Sequence, residues 1–106
     1  MESVCKGAAA ANGYSIGILP GTDPLEANRY CTHALATGLG PMRNYLVILN
    51  GALTVAVAGG YGTLSEIGLA KKIGRTVIGL GTWPQLPDLI QVKDPEEVLG
   101  EIGRIL

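Results

Sequence analysis

An apolar run, Leu53-Thr54-Val55-Ala56-Val57-Ala58, leads directly into Gly59-Gly60-Tyr61-Gly62-Thr63, and a helix-forming stretch follows over about 64–73 to Gly74. Few folds accept that order. An apolar run without polar alternation is a strand buried on both faces. A strand that turns through glycines straight into a helix belongs to a parallel sheet covered by helices. Two more short apolar runs, 14–19 and 76–80, repeat the theme. The expected fold class is therefore α/β, a doubly wound parallel sheet, and 106 residues suit one domain.

Residues 1–12 are rich in alanine and predict a helix closed by Asn12-Gly13. The strand over 14–19 is broken by Pro20-Gly21. Residues 22–40 show no period, contain Asp23-Pro24, and read mainly as a long loop. Pro41 suits the first position of a helix that runs to about Asn50-Gly51. Residues 81–92 read mostly as loop, with a short strand near Leu89–Val92. Asp94-Pro95-Glu96-Glu97 predicts the start of a last helix: Asp94 as N-cap, proline first, acids in the first turn.

Ligands of such sheets bind at the carboxyl ends of the strands, where the glycine run lies. Glycines let a backbone approach an anion closely. The helix that follows begins with unpaired N–H groups and partial positive charge. Gly59, Gly60, Tyr61, Gly62 and Thr63 are thus a candidate phosphate seat that needs no lysine. A Walker loop would place Lys-Ser or Lys-Thr here, and a dinucleotide site would show GxGxxG with an acid about 20 residues on. Neither pattern is present. A tight strand-to-helix turn with no ligand is the competing interpretation.

Thr63-Leu64-Ser65-Glu66 fits a capping box, with Thr63 as the cap and Glu66 reaching back to its amide. It equally places Glu66 beside a ligand, to accept from ribose hydroxyls or act as a base. Arg43 stands in the first turn of its helix, after the glycine-rich Thr37-Gly38-Leu39-Gly40. Such arginines are commonly solvated. Here Arg43 supported by Asn44, with Gly38 and Gly40, offers a second anion contact. His33, the single histidine, reads as a surface or packing residue.

Composition removes other classes. The chain is 47% apolar and 16% charged, which excludes disorder. A net charge of −1 with scattered basic residues gives nucleic acid no footprint, and five aromatic side chains give bases little to stack on. Cys5 and Cys31 form no CxxC pair, so no zinc or other metal site follows, and both read as reduced packing thiols. No run of about 20 apolar residues and no leader pattern is present, so the expectation is a cytoplasmic protein away from membranes. So small and apolar a chain also has reason to form a homodimer or higher oligomer.

Thr-Gly-Leu-Gly-Pro-Met-Arg-Asn (37–44), Ala-Gly-Gly-Tyr-Gly-Thr-Leu-Ser-Glu (58–66) and Thr-Val-Ile-Gly-Leu-Gly-Thr-Trp (76–83) together carry a family resemblance. They resemble the Rossmann-like proteins related to the "lonely guy" cytokinin-activating phosphoribohydrolases, also known as possible lysine decarboxylases. The most similar branch is the one related to DprA/Smf and molybdenum-cofactor carrier proteins. The resemblance implies a Rossmann-like nucleotide-binding domain with a small phosphate-bearing ligand, a nucleotide or the molybdenum cofactor. If catalytic, the chain would cleave the N-glycosidic bond of a nucleoside 5′-monophosphate, with Glu66 and Arg43 at the catalytic positions. Lysine decarboxylation is not expected: Lys71 and Lys72 have no cofactor context.

Two departures shape the expectation. The phosphoribohydrolases usually carry Pro before the double glycine and Arg-Lys upstream, where this chain has Ala58 and Arg43-Asn44. That favours binding, carrier- or sensor-like, over catalysis. The family also has a strand, a helix and a second strand before the position that Met1 matches, in a sheet order of roughly 3-2-1-4-5. An N-terminally truncated domain is the expectation that follows.

Overall fold

The computed structural model describes residues 2–83 and 86–106. Met1, at the head of the first expected helix, and Pro84-Gln85, inside the expected 81–92 loop, lie outside the described residues. The chain divides into two compact units between Val47 and Ile48. Each is parallel α/β, as the apolar runs require.

The first unit opens with α1, Glu2–Ala10. Asn12 turns left-handed at φ 60°, and Gly13 N–H returns to Ala8 O at 2.7 Å, which is the expected stop. Strand β1 is Ile16–Leu19. The 22–40 segment is mostly irregular, as expected, but it also contains two elements the sequence did not predict. It holds a 3-10 turn at Pro24–Glu26, capped by Asp23, and strand β2, His33–Ala36. β2 lies parallel to β1, with Ile16 opposite His33 and Leu19 opposite Ala36. His-Ala-Leu-Ala hides this strand, because histidine and alanine add no β-branched signal. Parallel neighbours need a crossover of about a dozen residues, which 20–32 supplies. Pro41 stands in a 3-10 turn, Gly40–Met42, which feeds α2, Arg43–Asn50.

The second unit contains β3 (Thr54–Val57), α3 (Tyr61–Lys72), β4 (Val77–Leu80), β5 (Ile90–Val92) and α4 (Pro95–Ile105). The strands pair in the order β3-β4-β5, all parallel, with Val55 opposite Ile78 and Ile78 opposite Ile90. Adjacent residues of β4 serve opposite faces. Val77 packs with Ile48, Ala56, Ile67 and Ala70, so α3 covers one face. Ile78 packs with Val92 and Val98, so α4 covers the other. Burying both faces is why β4 reads as a continuous apolar run. Ile78 and Ala70 are fully buried, and truncating an isoleucine so placed costs about 2–5 kcal/mol.

Helix α4 starts as the sequence predicts. Asp94 accepts from Glu97 N–H at 2.9 Å, and Pro95 occupies the first turn. Helix α3 starts earlier than expected, at Tyr61 rather than near residue 64, with Gly60 as N-cap. Thr63 is therefore inside the first turn and caps nothing by the expected route; its hydroxyl lies 3.5 Å from Val57 O. The Thr63–Glu66 capping box is not formed, because the helix begins before it. Among the described residues no helix is long and apolar enough to cross a membrane.

Candidate functional site

The glycine run lies in the second unit, between the end of β3 and α3. Ala58 makes the turn: it stands at φ 67°, and its N–H donates to Leu80 O at 3.1 Å. Gly60 has φ −78° and ψ 171°, extended backbone open to any residue, and as N-cap it brings no side-chain hydrogen bond to the helix. The first intrahelical bond is from Leu64 N–H to Gly60 O at 3.1 Å. The amides of Tyr61, Gly62 and Thr63 therefore have no helical carbonyl to meet. A β-carbon at Gly60 or Gly62 would find nothing within 4 Å. These glycines leave the side-chain positions of the first turn open, while the left-handed backbone falls to Ala58. An anion there would meet N–H groups and the positive end of a twelve-residue helix.

The end of β4 lies beside this loop, because β3 and β4 are neighbours with Val57 opposite Leu80. Thr82 and Trp83, just past β4, went unselected in the sequence. Their signal was position: they follow an apolar run parallel to the one that carries the glycines. Thr82 is 8% exposed, and its side chain lies against Gly79 beside Gln91. The Thr82 hydroxyl and the Trp83 indole N–H are buried with no hydrogen-bond partner. Trp83 Nε1 is 3.9 Å from where a β-carbon of Gly59 would stand. Tyr61, 84% exposed, holds its ring 6.2 Å from that of Trp83 at a tilt of 36°. Glu66 is half-buried, in the second turn of α3. A separate open depression of about 500 Å³ lies at the other end of α3, lined by Lys71, Arg75 and Asp88. Lys71 donates there to Asp88 O at 2.8 Å and Arg75 to Leu49 O at 3.0 Å, so both cations serve the backbone.

Gly38, Gly40, Arg43 and Asn44 belong to the first unit, whereas Gly59–Thr63 and Glu66 belong to the second. Gly38 and Gly40 are left-handed, at φ 66° and 57°. Their amides donate to Gly21 O at 2.8 Å and Pro20 O at 2.9 Å, which pins the turn after β1. Arg43 Nη1 donates to Ile18 O at 3.0 Å, tying α2 to β1. Asn44 Oδ1 is buried without a partner. His33 is exposed on β2.

The same unit contains a polar knot around Cys5, which is 8% exposed. Hydrogen bonds from Asn28 and Ser15, with a smaller one from Cys31, pull the Cys5 thiol below its ordinary pKa against the opposing effect of burial. Cys31 Sγ also lies 2.9 Å from His33 O. Both cysteines are free thiols, and among the described residues no three His, Cys, Asp or Glu side chains converge as a metal site.

A protein of Archaeoglobus fulgidus, itself uncharacterised, is 33% identical over 99 residues; they cover 93% of this chain and 65% of that protein, just under two thirds of its length. The structure of the molybdenum cofactor binding protein from Rippkaea orientalis superposes with a TM-score of 0.88 at 32% identity, over 99% of this chain and 70% of that one. The molybdenum cofactor carrier protein of Chlamydomonas reinhardtii superposes with a TM-score of 0.79 at 30% identity, over 98% of this chain and 68% of that one. The Rossmann-like expectation agrees with these neighbours. The model of one family spans residues 1–101, from α1 into α4, and the chain accordingly belongs to the SLOG cluster4 family.

Proposed function

We propose that this chain is a binding protein whose glycine loop seats the phosphate of a small ligand, a phosphorylated pterin such as the molybdenum cofactor or a nucleotide. Gly60 carries the reading: as an N-cap without a side chain it leaves the first amides of α3 uncapped and its own side-chain position open. The likeness to molybdenum cofactor binding and carrier proteins supports a carrier role. A pterin phosphate suits the donor set, because backbone amides hold an anion without a counter-cation. With no convergent metal ligands among the described residues, a metal-bearing ligand would be held through its organic part.

Phosphoribohydrolase chemistry is the second reading, and Glu66 favours it: this half-buried carboxylate stands in the second turn of α3, one turn behind the glycine loop. Arg43 speaks against it, since its guanidinium already serves Ile18 O. Isothermal titration with AMP and with a pterin monophosphate, while adenine release is followed, separates the two. Saturable heat without adenine is the expected result. Adenine release that disappears in Glu66→Ala would make the chain an enzyme. Absence of heat with both ligands would overturn the phosphate seat itself.

A further inference from the structure

We propose that Trp83 and Tyr61 are the ligand-reading wall of the glycine loop: the Trp83 indole N–H donates to the ligand's phosphate, and the Tyr61 ring stacks on its heterocycle. The inference rests on the loop being a phosphate seat and adds what that seat recognises.

The indole N–H is the starting point. Indole nitrogen can only donate. A buried donor with no acceptor is uncommon and costly in a native fold. Trp83 Nε1 is such a donor, and it faces Gly59 at 3.9 Å from the β-carbon position. Packing does not require the nitrogen, because the ring alone supplies the apolar contact with the α3-side core. The register explains why the group is here. Val57 and Leu80 are paired, so the segments leaving β3 and β4 emerge at one end of the sheet. Ligands in parallel α/β sheets sit outside that end. An oxyanion held by the amides of the first turn of α3 would give the indole the acceptor it lacks, and a hydrogen bond to a charged acceptor is among the stronger kinds.

Tyr61 supplies the second part. It is the first residue of α3, yet its ring is 84% exposed and lies 6.2 Å from the Trp83 ring. An exposed aromatic face next to an anion seat is suited to a flat heterocycle, a pterin or a purine, carried on the same molecule as the phosphate. The wall therefore selects ligands that combine a phosphate with an aromatic ring over free phosphate or the free ring.

Trp83 is the single tryptophan, so its emission reports on this site alone. The wild-type chain is titrated with inorganic phosphate, a pterin and the monophosphate of that pterin, by fluorescence and by calorimetry. Trp83→Phe keeps a ring and removes the donor; calorimetry alone follows it. It is expected to weaken pterin monophosphate binding about tenfold and to leave the unphosphorylated pterin unchanged. Tyr61→Ala, at an exposed position, is expected to weaken both pterins about tenfold and spare inorganic phosphate. A wild-type chain that binds none of the probes overturns the phosphate seat and this wall together. A wild-type chain that binds pterin monophosphate, with Trp83→Phe binding it equally well, overturns the wall alone. So does a Tyr61→Ala chain with undiminished affinity for both pterins.

Discussion

Ala58 holds its amide against the carbonyl of Leu80 at 3.1 Å while standing at φ 67°, so the last rung of the β3–β4 ladder is also the turn into the glycine loop. Proline cannot serve there: it fixes φ near −65° and has no N–H. Ala58→Pro is expected to lower stability by about 3 kcal/mol or more, read from urea unfolding. Ala58→Gly, which removes the β-carbon penalty of left-handed backbone, is expected to match or exceed wild type by about 1 kcal/mol. A proline variant as stable as wild type would mean that the loop leaves β3 by another path.

Gly79 is glycine because of Thr82. A β-carbon on Gly79 would overlap the Thr82 Cγ2 methyl and come 3.2 Å from Gln91 Oε1. Gly79→Ala is expected to cost about 1–3 kcal/mol, as overpacking does. Adding Thr82→Ser, which deletes the offending methyl, should recover most of the loss. Strict additivity of the two changes in thermal melts would show that they do not meet.

Asp94 accepts from Glu97 N–H at 2.9 Å, at the head of the helix that covers Ile78. Asp94→Ala is expected to cost about 1 kcal/mol, and Asp94→Asn, which keeps the acceptor, much less. Equal midpoints for the two variants in denaturant would contradict the capping role.

Cys5 gives the fold a pH dependence of known sign. Hydrogen bonds from Asn28, then Ser15 and Cys31, lower its pKa in the folded chain. A lowered folded pKa contributes stability that is fully present above the ordinary thiol value of about 8.5 and is lost as pH falls through the folded value. The melting temperature of wild type relative to Cys5→Ser should therefore rise with pH on the acid side of the ordinary thiol value and level off above it. Parallel curves for the two chains would remove the thiolate from the account.

The parallel α/β class was legible because β4 is buried on both faces and so lacks polar alternation; β3 corrects the same expectation, since it buries Ala56 but leaves Val55 and Val57 exposed. Asp94-Pro95 announced α4 because a cap, a proline and first-turn acids all point the same way. β2 was not legible: His33–Ala36 gains its strand state from pairing with β1, a contact at long sequence separation. The glycine loop was legible as a motif, but its cap was not, since Thr63 and Glu66 match a box that the earlier start at Tyr61 pre-empts. Trp83 was visible only as the end of the 76–83 motif, and its position beside the glycine loop follows from the pairing of β3 with β4, which no local pattern encodes.

Strand β3 is bonded to a neighbour on one side only within its sheet. Thr54 and Ala58 direct their amides to Thr76 O and Leu80 O, at 2.9 and 3.1 Å. Alternation along a strand then turns the amides of Val55 and Val57 the other way. In deuterium oxide this strand would keep two clocks. The even-numbered amides exchange only when the β3–β4 ladder opens, and the odd-numbered ones at the pace of whatever borders the free side.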